Sequence, residues 1–117
     1  MIDVHCHLNL HAFDSDYDEV AKQAFEAGVR IIVNTGTSIP SSRKAVELAH
    51  KYENMYAIVG IHPHHADKAD VEFEGEIQKD WFENLKILAN EEKVIGIGET
   101  GLDYHTYKSN GIVDKKL

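Results

Sequence analysis

Apolar and polar positions along this chain follow two rhythms that take turns. Residues Ile2 to His7 keep a period of two, with Ile2, Val4 and Cys6 on one face and Asp3, His5 and His7 on the other. From Asp16 to Ala27 the spacing turns helical. Val20, Ala21, Ala24, Phe25 and Ala27 recur along one side, and Gly28 stands where a helix would end. Val29 to Val33 (VRIIV) is a β-branched run of the kind that forms buried parallel strands. The cycle then repeats. Thr37 or Ser38 can cap a helix with Pro40 near its first turn, running through Ala45, Val46, Leu48 and Ala49 to Tyr52. Met55 to Ile61 reads as a third strand and Asp67 to Gly75 as a polar loop. Glu76 to Glu91 reads as a helix with Ile77, Trp81, Leu85 and Leu88 on one stripe, and Val94 to Glu99 as a fourth strand.

Strands alternating with helices predict right-handed βαβ units around a parallel sheet, an α/β fold. No repeat, low-complexity tract or Pro/Gly linker breaks the order, so residues 1–117 read as a single domain. Beyond the fourth strand the pattern dissolves into TGLDYHTYKSNGIVDKKL, with no fourth helix. A complete (β/α)₈ barrel takes roughly 250 residues. The expectation is therefore an incomplete barrel, truncated after its fourth strand.

In parallel α/β folds, chemistry gathers beyond the carboxyl ends of the strands. His5 and His7 close the first strand, Asn34 and Thr35 follow the second, His62 and His64 the third, and Glu99 closes the fourth. Two imidazoles at i and i+2 on a strand share a face about 6–7 Å apart at the backbone, near enough to converge on one metal. Imidazole suits zinc, iron, manganese or nickel. Cys6 points the other way by strand parity and is assigned to packing. Glu99 ends a strand otherwise made of Val, Ile and Gly, where a carboxylate is costly without a cation or donors, and it can bridge two metals. GIGETG is not a phosphate-binding loop, because the G-x-G-x-x-G order that opens a helix is missing. His62, after Gly60 and beside Pro63, can donate to a phosphate, act in acid–base work, or cap its own loop. Asp103 has two readings, a turn residue or a catalytic one. His64 and His65 can face either the site or their own loop, and His50 belongs to helix surface.

Charge changes the picture in one respect. Twenty acidic residues against 12 basic ones give a net charge of −8, which repels phosphates unless bound cations reverse the field locally. Eight histidines point to such cations. Cys6 is the sole cysteine, so no intrachain disulfide forms and a reducing, cytoplasmic setting is expected. No stretch approaches the roughly 20 apolar residues that span a bilayer, and MIDVHCHLN lacks the features of a signal peptide.

Three elements together, IDVHCHLN, GIHPHHA and GIGETGLDY, resemble the TatD family of metal-dependent hydrolases, which fold as TIM-barrel-like enzymes. Their order and spacing match over essentially all 117 residues. The resemblance implies a metal-dependent phosphodiesterase or deoxyribonuclease that uses a divalent-metal-activated water, with two Mg, Mn or Zn ions in a complete site. It makes His5 and His7 ligands of one metal, Glu99 the carboxylate that bridges or joins the metal pair, and His62 a residue facing the substrate phosphate. His62 and Glu99 are read as catalytic, and His62, His64 and Asp103 as substrate-binding. DNA is the implied partner. The family usually has Asp where this chain has Asn9 and Ile where it has Thr100, and it takes further ligands from later strands. A catalytically inactive half barrel that self-associates through its open edges is the rival expectation, and an amide- or lactone-cleaving relative is a third.

Overall fold

The computed structural model describes residues 1–68, 72–73, 76–77, 80–102, 108–109 and 112–113, with side chains over 1–65 and 80–102. The apolar runs become strands β1 (Ile2–Cys6), β2 (Ile31–Thr35), β3 (Met55–Val59) and β4 (Val94–Ile97). All neighbours are parallel, and their order in the sheet is their order in the chain. Helices α1 (Tyr17–Glu26), α2 (Ile39–Lys51) and α3 (Trp81–Ala89) supply the connections. Among the described residues this is the expected α/β architecture.

Helix α2 anchors the fold because its start is chemically determined. The Ser38 hydroxyl accepts from the Ser41 N–H, the Ser41 hydroxyl accepts from the Ser38 N–H, and Pro40 occupies the first turn. Its apolar face carries Ile39, Ala45, Val46 and Ala49 onto Ala57 and Val59 of β3 and Leu88 of α3. A second cluster joins Leu8, Ala21, Ile32, Leu48 and Met55, with Cys6 and Phe25 packed against it.

Several boundaries differ from the sequence pattern, each for a local reason. The second strand begins at Ile31 rather than Val29. The Val29 N–H closes the end of α1 on the Ala24 carbonyl, and Gly28 turns there with φ +96. Asn34 and Thr35 consequently lie inside β2 instead of following it. The third helix begins at Trp81 rather than Glu76, because Asp80 sits in the left-handed region at φ 61. Residues Glu76–Ile77 instead pair antiparallel with Glu72–Phe73, in what reads as loop, and Pro63–Lys68 forms a 3₁₀ turn. Strands β3 and β4 stop at Val59 and Ile97, so Glu99 lies two residues past its strand. No helix among the described residues is long and apolar enough to cross a membrane.

Backbone contact joins β3 and β4 at the carboxyl end. The Gly98 N–H donates to the Val59 carbonyl, and a Cβ on Gly60 would overlap the Gly98 carbonyl. Only glycine fits there. The outer strands are less covered than the inner ones: Val4 and Ile97 are 67% and 64% exposed, while Met55, Ala57 and Val59 are fully buried.

Candidate metal centre

Strands β1 and β4 stand at opposite ends of the sheet, three inter-strand spacings or roughly 14 Å apart. Yet His5 Nε2 lies 3.2 Å from Glu99 Oε1 and 3.2 Å from His7 Nε2. Glu99 stands two residues past its strand, and from there its side chain and that of His5 reach inward from the two edges and meet.

The three ligand atoms of His5, His7 and Glu99 all lie within 4.8 Å of one another. Four ligands held tetrahedrally at about 2.0–2.1 Å from zinc would be separated by about 3.3 Å. The two 3.2 Å contacts match such edges. Two imidazoles and a carboxylate are also a donor set suited to a divalent cation. The residues present fit a metal ion. His5 is exposed and the other two are half-buried, so the group opens to solvent.

The hydrogen bonds assign the protons on two of the histidines. His7 Nδ1 lies 2.9 Å from the Thr35 carbonyl oxygen, which can only accept, so His7 carries its proton on Nδ1. Its Nε2 lone pair is thereby aimed at His5 and the ligand cluster. His62 has the reverse arrangement. Its Nδ1 accepts the His64 backbone N–H at 3.0 Å, so the neutral ring carries its proton on Nε2. That Nε2 faces Glu99 Oε2 at 3.6 Å. One histidine presents a lone pair to the cluster and the other presents a donor. A single carboxylate contacts both sides, Oε1 toward His5 and Oε2 toward His62.

The remaining expected residues divide. His64 stacks on His65 with ring centroids 5.3 Å apart and meets His62 edge-on, one ring removed from Glu99. His65 Nδ1 bonds the Thr37 carbonyl, tying the loop to the start of α2. Asp103 lies outside the described residues. His50 is exposed on α2, bonded to the Glu92 carbonyl. Cys6 turns away from the cluster and donates its S–H to Asn34 Oδ1, while burial, its largest influence, pushes the thiol pKa up. What the sequence pattern missed is the Thr35 main-chain carbonyl, because no residue type marks a carbonyl oxygen.

The sequence model for the TatD related DNase family matches residues 2–116. The chain belongs to that family. The "uncharacterized metal-dependent hydrolase YabD" of Bacillus subtilis is 37% identical to it over 117 residues, 100% of this chain and 43% of the relative. The 3'-5' ssDNA/RNA exonuclease TatD of Cronobacter sakazakii is 36% identical over 90% of this chain and 37% of its own length. A crystal structure of a TatD family hydrolase from Entamoeba histolytica superposes with a TM-score of 0.70 and 27% identity, covering 89% of this chain and 38% of that one. This TatD-family chain thus spans about two-fifths of the length of the relatives it matches.

Proposed function

We propose that residues 1–117 form the first four-strand half of a TatD-type barrel whose complete site hydrolyses phosphodiester bonds in DNA with two divalent ions, Mg, Mn or Zn. The observation that carries this reading is the meeting of His5, His7 and Glu99 from opposite edges of one sheet. The relatives named as a metal-dependent hydrolase and as 3'-5' ssDNA/RNA exonucleases support the reaction class. Divalent ions in such a site supply positive charge against the phosphate and lower the pKa of a bound water.

His5, His7 and Glu99 are the proposed ligands on this chain. His7 enters with its lone pair already aimed, because Thr35 holds its other nitrogen. Glu99 reaches two neighbours with its two oxygens and so links the ligand side to His62. His62, with Nε2–H facing the same carboxylate, is placed to donate to a phosphate oxygen or to move a proton. His64 and Asp103 are assigned to the substrate side. An acidic chain with net charge −8 needs cations to attract a polyanion, which agrees with metal-dependent binding.

The test pairs metal binding with DNA cleavage. Calorimetry with zinc or manganese should show binding that His5→Ala and Glu99→Ala remove, and labelled DNA should be cut only with added divalent metal. Cleavage that survives EDTA and both substitutions would overturn the reading.

A second reading rests on the open edges. Val4, Ile95 and Ile97 are 67%, 58% and 64% exposed on the two outer strands, an arrangement that invites pairing with another copy. An inactive, self-associating half barrel would sediment as a dimer without metal-dependent cleavage. A folded monomer excludes it.

A further inference from the structure

We infer that Asn9 is a positioning residue for the candidate metal centre, acting through the Thr35 carbonyl to hold His7 in its ligating form. Asn9 is only 4% exposed, and its Nδ2 donates to two main-chain carbonyls, Thr35 at 3.0 Å and Ser41 at 2.9 Å. Both partners can only accept, so the amide orientation is determined by chemistry. Its Oδ1 is buried without a hydrogen-bond partner among the described residues. The side chain is used for its NH₂ group alone.

The Thr35 carbonyl is shared. One acceptor site takes His7 Nδ1–H at 2.9 Å and the other takes Asn9 Nδ2–H at 3.0 Å. The second Asn9 proton ties the same amide to Ser41, whose hydroxyl organises the start of α2. Asn9 thereby links the exit of β1, the end of β2 and the first turn of α2 around one oxygen. A buried Asn34 braces the other side: its Oδ1 accepts the Leu8 N–H at 3.1 Å, between the two ligand histidines and Asn9 in the chain. A carbonyl held at one lone pair keeps its direction, and a partner that fixes the far nitrogen of a ligating histidine sets its tautomer. A carboxylate at position 9 could supply neither donor.

This inference rests on the proposed metal reading for its purpose, but its structural claim is tested separately. In the metal-free full chain near pH 8, a long-range ¹H–¹⁵N spectrum reads the His7 tautomer directly. The native protein should show Nδ1–H, and Asn9→Ala and Asn9→Asp should shift His7 toward Nε2–H, with zinc affinity falling about 10–100-fold in Asn9→Ala. An unchanged His7 tautomer in a folded variant overturns the inference. A shifted tautomer in a protein that binds no zinc retains the positioning role and removes the metal reading instead. Should both variants fail to fold, scalar coupling across the hydrogen bond from Asn9 Nδ2 to the Thr35 carbonyl in the native chain decides. Its presence supports the link, and its absence overturns it.

Discussion

The inner and outer strands of this sheet have divided the work. β2 and β3 are buried under α2, with Ile32, Met55, Ala57 and Val59 no more than 2% exposed. β1 and β4 leave Val4, Ile95 and Ile97 mostly in solvent. Yet His5 comes from β1, His7 from the residue just past it, and Glu99 from the segment just past β4. Stability is concentrated in the middle of the sheet and candidate chemistry at its rims. The two are joined where inner-strand backbone reaches outward, at the Thr35 carbonyl and at Gly60 against Gly98. The inner strands therefore do more than fill a core: their backbone touches both rims of the candidate site.

The largest effect should come from the inner strands. Met55→Ala removes a fully buried side chain and should cost about 2–5 kcal/mol in urea unfolding. Metal affinity of the molecules that stay folded should hardly change. Loss of affinity without loss of stability would break the division. Gly60→Ala attacks the joint itself. The new Cβ meets backbone that cannot yield cheaply, so stability and metal binding should fall together, as read by thermal unfolding and calorimetry.

At the rims, His5→Ala should abolish measurable zinc binding while changing stability by no more than about 0.5 kcal/mol, because the side chain is half exposed. His62→Ala sharpens the contrast between ligand and donor. Zinc binding should stay near the native level, whereas any metal-dependent cleavage should fall about 10²–10⁴-fold. Equal loss of binding in both variants would erase that distinction. The smallest effect concerns Cys6, between the two candidate-ligand histidines yet turned toward the core. Its raised pKa should make alkylation at neutral pH slower than that of a free thiol. The folded state holds that proton more tightly than the unfolded chain. Its contribution is thus complete below the ordinary thiol range and is lost as pH rises from that range through the raised folded value.

Much of this was legible one residue at a time. Period-two spacing put His5 and His7 on one side and Cys6 on the other, and the hydrogen bonds at Thr35 and Asn34 agree. The serine- and proline-rich start of α2 announced its own cap. Boundaries were less legible where backbone closure outranked side-chain type, as at Val29, or where one left-handed residue, Asp80, delayed a helix that the apolar stripe extends to Ile77.

The succession of four long strands and three helices along the chain, and the residue types at the strand ends, were determined by the sequence alone, because hydrophobic periodicity and local capping act over a few neighbours. The meeting of His5 with Glu99, 94 positions apart in the chain, was decided only in three dimensions. It depends on where four strands and the segments just past them place two side chains from opposite edges of the sheet. The proton positions on His7 and His62 were decided there too, since each is set by a main-chain group that every residue carries and only the fold can aim.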